Sequence, residues 1–270
     1  MKVSKTSIGT AIKSSPELLK ELFKGDLRML NYHIKSGLIE RLRFKFPKEK
    51  MLSYFNNLPE TDCTDNNHIE IREKIAIMTF DDVFDEEIYE YENNINAKST
   101  FFLLSYKLNK NSIKKDVDLQ LHYDARYSQI DKQKEKFEKL TGKNPIASRH
   151  HTLWWTHTHL ELIYLAMNGI KVDSSLPGIK PFRLCIQGKL LPIWEVPFSV
   201  CDSPSVLSAP YGIPSKMETL FEKKISPIVG LFHPYLKHQS RWKDFYKFSK
   251  KYRYKFMTVT EFYNKYLKGK

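Results

Sequence analysis

The sequence predicts an α/β chain of alternating strands and helices, preceded by a helical N-terminal extension. Three observations predict it. From residue 72 onward, short apolar runs alternate with helix-like stretches. Residues 1–70 follow a different, basic and helical rhythm. Ionisable side chains recur where the apolar runs end, and in a barrel of parallel strands all such ends meet on one face.

The extension comes first. Ser15-Pro16-Glu17 reads as a helix start, with Ser as cap and Pro in the first turn. Leu18, Leu19, Leu22 and Phe23 follow at helical spacing. A second apolar set, Leu27, Leu30, Ile34, Leu38, Ile39 and Leu42, is interleaved with Arg28, Lys35, Arg41, Arg43 and Lys45. Such a basic amphipathic stretch suits peripheral contact with an anionic membrane surface, or packing on its own domain with its charges in water. DCTDNN at 62–67 reads as the loop that closes the extension, so the boundary is placed at 70/71.

The barrel domain, 71–270, opens with KIAIMTF at 74–80, an apolar run suited to a strand buried on both faces. Residues 85–94 are helical in character, and STFFLL at 99–104 is a second strand. DVDLQLHYD at 116–124 alternates and reads as a strand ending near His122. A charged helix over 130–140 stops at Gly142, and a short strand ends at SRHH, 148–151. THLELIYLAMNG at 158–169 is a helix with Gly at its C-terminus. IKVDSS at 170–175, SPIVGLFHP at 226–234 and KFMTV at 255–259 are strands, and TEFYNKYL closes the chain as a helix.

The bulk numbers bound the partners. The 270 residues carry a formal net charge of +13, which favours anionic partners, although a Lys-rich composition alone produces the same number. No nucleic-acid reading motif is present, so nucleic acid is not expected. Cys63, Cys185 and Cys201 are far apart and form no CxxC pair, which argues against a thiolate zinc site. Their odd number fits a reducing compartment. The N-terminus shows no signal-peptide pattern and no run reaches about 18 apolar residues, so the expected location is the cytoplasm.

The chemistry lies in the strand ends. Asp81 and Asp82, His122, Arg149 to His151, Asp173 and His233 each close a predicted strand. One carboxylate and two imidazoles form a facial ligand set for a divalent metal, with positions left for water and substrate. Of two adjacent carboxylates, one is then free to serve as a base, and an imidazole opposite protonates a leaving group. The plain alternative for a lone Asp-Asp pair is a solvated loop.

TFDD at 79–82 with AKSTFFLL at 97–104 is similar to the opening of the polysaccharide deacetylases, the NodB-homology domain. LFHP at 231–234 resembles the family's closing Leu-x-His motif, and GIKVDSS at 169–175 the strand between. The resemblance spans roughly residues 72–262 and implies a distorted barrel with a zinc-type metal that removes acetyl groups from N-acetylated sugars. It assigns Asp81 as base, Asp82 as metal ligand and His233 as general acid. The family's second motif is normally His-x-x-x-His, whereas here Arg126 stands four residues after His122. Val83 also replaces the usual Gly. A subgroup with His-Tyr-Asp-Ala and Arg-x-His motifs fits LHYDARY and RHHTLWW better. It implies His122 and His151 as imidazole ligands, with His150 the alternative, and Arg149 as the residue that orients the catalytic carboxylate.

His157 and His159 read as helix-start groups, and His33, His68 and His238 have no motif context. Trp154, Trp155, Trp194 and the Tyr residues suit either sugar stacking or the core. Asp124 and Asp173 are expected to support a histidine or the substrate. The expected partner is an N-acetylated sugar, in this reading an intracellular glycan precursor, and the expected cofactor is a divalent metal, Zn2+ first. Two alternatives remain open: a non-catalytic glycan- or membrane-surface-binding barrel with a degenerate metal site, and a hydrolase of a non-sugar amide.

Overall fold

The computed structural model describes residues 47–61, 68–82, 97–108, 117–124, 127–151, 158–202, 214–233 and 240–270. The helices read at 16–45 and 85–94, the loop at 62–67 and the membrane-surface stretch lie outside them. So do Trp154, Trp155, His33, His157 and His238.

The sheet is built around β1 (Ile75–Asp81), buried along its whole length. On one side it pairs with β2 (Ser99–Leu103), and on the other with β9 (Ile228–Phe232), both in parallel. Beyond β2 follow β3 (Asp118–Tyr123), β4 (Ala147–His150) and β5 (Val172–Asp173), all parallel. β10 (Lys255–Phe256) takes the β2 side of the first residues of β1. β7 (Lys189–Glu195) runs parallel to β5, and its hairpin partner β6 (Phe182–Ile186) is the antiparallel member among the described strands. Their turn has Gln187 at φ 49 and Gly188 at φ 72, the double left-handed conformation of a tight hairpin turn.

The chain after β7 closes the barrel. Glu195 lies beside Asp173, and Val196 N–H donates to the Asp173 carbonyl at 2.8 Å. Phe198 exchanges hydrogen bonds with Leu176 and Gly178, both 3.0 Å. Ser199 N–H then reaches the Val229 carbonyl at 2.9 Å, and β8 (Val200–Cys201) pairs with β9. One continuous stretch thus passes from β5 to β9, and the open sheet curls into a distorted barrel.

Period-two alternation assigns the two faces. Ile75, Ile77, Val229 and Leu231 point inward with Phe102, Ala147, Val172, Trp194 and Val196. Ile69, Ile71, Met257, Val259, Phe262 and Leu267 join this interior cluster. The outward residues meet the helices: Phe80 stacks on Phe101 at 5.5 Å, and Phe232 meets Phe245 of α5 (Ser240–Lys251). Gly230 is small because a Cβ there would lie 2.4 Å from the Phe232 ring.

The helical layer also contains α1 (Lys48–Asn56), α2 (Ile130–Thr141), α3 (Thr158–Met167), α4 (Pro214–Glu222) and α6 (Val259–Phe262). Gly142 ends α2 with φ 69, and Gly169 follows α3 with φ 82, as the sequence suggested. Met51 and Phe55 of α1, with Ile69, are buried. The described part of the segment read as an extension therefore packs with the barrel, within a compact unit spanning Lys45–Lys270.

One expectation changes and one open alternative closes. Cys185 on β6 is disulfide-bonded, where the odd cysteine count had argued against a disulfide framework; Cys201 is a buried thiol. Trp194 is a core residue under the Arg183 guanidinium, 5.6 Å from its ring, and presents no sugar-stacking face.

Candidate metal and catalytic centre

The last inward residues of β1, β3 and β4 are polar, as is the inward position just past β9, and they converge. On β1 the inward series Ile75, Ile77 ends in Thr79 and Asp81. Asp82 follows with φ 55, a left-handed conformation that Asp tolerates better than most residues and that turns the chain at the strand end. On β3 the inward His122 is followed by Asp124. On β4, Arg149 points inward and His151 lies on the same side one pleat beyond.

Asp82, His122 and His151 each offer a donor atom, and these atoms lie within 4.8 Å of one another. His122 Nε2 is 3.7 Å from Asp82 Oδ1, and His151 Nε2 is 3.4 Å from Asp82 Oδ2. Each imidazole is fixed through its other nitrogen. His122 Nδ1 meets the Arg149 carbonyl at 2.9 Å, and His151 Nδ1 meets Asp124 Oδ2 at 2.9 Å. Metal-binding histidines are oriented by just such partners, which leave Nε2 directed at the ion. The donor set, one carboxylate and two imidazoles with both Nε2 atoms on one side, fits a divalent metal of the zinc type.

The electrostatics agree. Burial pushes the Asp82 carboxyl up, but the His151 hydrogen bond and both imidazoles outweigh it and hold it below the usual carboxylate range. Burial pushes His151 down, yet its bonds to Asp124 and Asp82 carry it up to about 9. Burial dominates at His122 and holds it below its ordinary value despite Asp81 and Asp82. Without metal, the two carboxylates beside His151 thus draw a proton onto it. A divalent ion meets the same demand for positive charge.

Asp81 stands next to this set, with Oδ2 4.0 Å from His122 Nε2. Its other oxygen accepts from Arg149 Nη1 at 2.8 Å. Arg149 is fully buried and its guanidinium lies 4.4 Å from the Phe102 ring centroid. It also donates to Thr79 Oγ1 (2.6 Å), the Ser174 carbonyl (2.6 Å) and Ser174 Oγ (2.7 Å). Asp81 therefore has one oxygen anchored and one facing the cluster.

His233, one residue past β9, is the further inward group. Its backbone N–H donates to Asp202 Oδ2 at 2.6 Å, and its Nδ1 pairs with Asp202 Oδ1 at 2.8 Å. Burial lowers His233, but the Asp202 bond and the Asp81, Asp202 and Asp82 charges raise it above its ordinary value. Asp202 was not read from the sequence. It obeys the same strand-end rule, following β8, but two residues leave no visible apolar run.

His150 does not join the cluster. Strand alternation sends it outward, against Tyr123 and 3.7 Å from Glu161 Oε2 of α3. Behind it, Asp173 accepts from Ser148 Oγ and from Ser175 N–H. Burial, and then the Asp173 charge, push Glu195 well above the usual carboxylate range, so this buried pair shares one negative charge. Asp173 thus supports the 173–175 turn that holds Arg149, and does not touch the donor atoms. His159 lies in α3, and His68 forms a bridge with Phe182 away from the strand ends.

No family profile matches the chain, and no curated protein does. Among solved structures it is similar to a putative polysaccharide deacetylase from Mycobacterium smegmatis: 16% identity, 70% of this chain and 88% of the other covered, TM-score 0.48. A peptidoglycan deacetylase mutant from Bacillus subtilis aligns at 14% identity over 73% and 93% of the chains, TM-score 0.46. A CE4 family pseudoenzyme from Bacillus anthracis aligns at 14% over 72% and 67%, TM-score 0.45. The reading of function rests on the site.

Proposed function

We propose that this chain is a metal-dependent hydrolase that removes an acetyl group from an N-acetylated sugar. The observation that carries the reading is the convergence of Asp82, His122 and His151, with Asp81 beside them. The substrate class comes from the motif resemblance in TFDD, RHHTLWW and LFHP.

Asp82, His122 and His151 would hold the ion. When bound, it supplies a Lewis acid for the acetyl carbonyl and acidifies water. The residues divide the remaining work. Asp81, with Oδ1 held by Arg149, keeps Oδ2 available to take the proton of the attacking water. The Arg149 bond fixes the orientation of Asp81. His233, protonated and oriented by Asp202, delivers a proton to the departing amine nitrogen. The C–N bond breaks, acetate leaves, and Asp81 returns its proton to solvent. The disulfide at Cys185 fits an oxidising compartment, so the reading is not restricted to an intracellular precursor.

The test joins metal content to turnover. Wild type should bind a stoichiometric divalent ion, with binding lost in His151→Ala. Asp81→Asn should keep the ion and lose acetate release from N-acetylated oligosaccharides. Metal binding that ignores His151, or acetate release that survives Asp81→Asn, overturns the reading. A wild type that holds the ion and binds glycan without turnover leaves the glycan-binding alternative in its place.

A further inference from the structure

Tyr127 is one of the few large apolar side chains left on the surface among the described residues, with 53% of it exposed. Exposed aromatics are often incidental; this one is held in place. Its backbone N–H donates to the Asp124 carbonyl at 3.0 Å, which fixes the turn after β3. Its ring stacks on Tyr106 with centroids 4.2 Å apart and planes 26° from parallel. Tyr106 in turn donates its phenol to Asp124 Oδ2 at 3.0 Å, and that same oxygen fixes His151 Nδ1 at 2.9 Å. From His151 the path therefore runs through one carboxylate and one buttressing ring to an outward-facing ring. Lys136 Nζ of α2 lies 5.8 Å from the Tyr127 centroid, at the outer limit of a cation–π contact. An ammonium at that distance leaves the ring more than half open.

We infer that Tyr127 is a stacking platform for a neighbouring sugar ring of the substrate, one unit removed from the residue whose acetyl group is cut. The inference rests on the deacetylase reading and deepens it by making the substrate an oligosaccharide or polymer. A pyranose presents a face of axial C–H groups, apolar and slightly positive, which suits the negative face of an aromatic ring. A rigid ring makes a good platform because little side-chain entropy is lost on binding. Tyr106 supplies that rigidity by closing one face, and its bond to Asp124 sets the platform's position relative to His151. The structural alternative is that Tyr127 only shields Tyr106 and Asp124 from water.

The two roles are separated by titration calorimetry on the metal-loaded full chain, in an Asp81→Asn background that prevents turnover. The probes are tetra-N-acetylchitotetraose and the monosaccharide N-acetylglucosamine. Tyr127→Ala should weaken tetramer binding roughly tenfold and leave the monosaccharide unchanged. Tyr127→Trp should match or tighten it, since any flat ring serves a platform. Metal content measured on each variant reports whether the Asp124–His151 arrangement survives. Equal tetramer affinity in parent and Tyr127→Ala overturns the inference. So does equal weakening of both probes, which marks a structural role, and so does a parent that binds no tetramer. Tetramer binding through Tyr127 without acetate release by wild type defeats the hydrolase reading and leaves the platform standing. Acetate release with tetramer affinity indifferent to Tyr127 does the reverse.

Discussion

Replacing Arg149 with Met tests the site where its cost is greatest. The guanidinium makes four hydrogen bonds, to Asp81 Oδ1, Thr79 Oγ1, the Ser174 carbonyl and Ser174 Oγ. Both members of the ion pair are buried, Arg149 at 0% and Asp81 at 2% exposure. Met roughly keeps the volume and the contact with Phe102, so cavity formation contributes little. What is lost is the cation that compensates a buried carboxylate. Breaking such a pair from one side costs about 3–5 kcal/mol. Asp81→Asn should cost less, since Arg149 keeps Thr79 and both Ser174 acceptors. The double variant Arg149→Met with Asp81→Asn removes both charges. Its loss should fall short of the sum of the single losses by about 1–3 kcal/mol. Urea unfolding of the metal-free proteins at one pH measures all four corners of the cycle. A single-variant loss under about 1 kcal/mol, or strictly additive losses, would refute the claim that Arg149 exists to hold Asp81.

Four further outcomes are expected. Metal affinity should rise with pH about tenfold per unit and level off near 9, because His151 must shed the proton it holds up to about 9 in the metal-free site; competition with a chromophoric chelator between pH 6 and 9 reads this, and a flat profile contradicts it. The same raised value makes the metal-free fold gain stability from protonated His151 below its unfolded value of about 6.5, a gain lost as pH climbs through about 9. Asp202→Asn should move the alkaline limb of the acetate-release profile to lower pH, because Asp202 helps hold His233 above its ordinary value; an unmoved limb would remove His233 as the acid. Gly230→Ala should destabilise the barrel by about 1–3 kcal/mol, since the new Cβ would meet the Phe232 ring at 2.4 and 2.6 Å and Phe245 at 3.2 Å.

The parts of the fold that were legible are those with one dominant physical signal. β1, β2 and β9 are buried on both faces, so they read as unbroken apolar runs. Gly142 and Gly169 marked the ends of α2 and α3 because a left-handed residue is needed there. The β6–β7 hairpin escaped notice because β6 is only half-buried along its length and its turn is Gln187-Gly188, outside the usual Asn-Gly or Asp-Gly signature. β8 is two residues long and survives only through the closure it makes with β9. With it went Asp202, whose importance depends on a partner 31 residues away. The disulfide at Cys185 is likewise a matter of tertiary proximity, which cysteine count does not reveal.

The choice between His150 and His151 turns on strand geometry. β3 and β4 are parallel neighbours, with His122 level with Arg149 and Tyr123 level with His150. Because side chains alternate, His122 and Arg149 share the interior, while Tyr123 and His150 share the outer face and touch there. The next inward positions are Asp124 on one strand and His151 on the other, and they bond at 2.9 Å. In the proposed site the second imidazole therefore comes from across the sheet, from the first inward residue beyond the end of the adjacent strand. It takes its orienting carboxylate from the strand that carries His122. A one-residue slip of β4 would exchange the faces of Arg149, His150 and His151 together. It would strip Asp81 of its cation and remove an imidazole from the cluster in the same step. The side chains on the two faces of β4 thus enforce a single register: Arg149 bonded to Asp81 inside, His150 packed against Tyr123 outside.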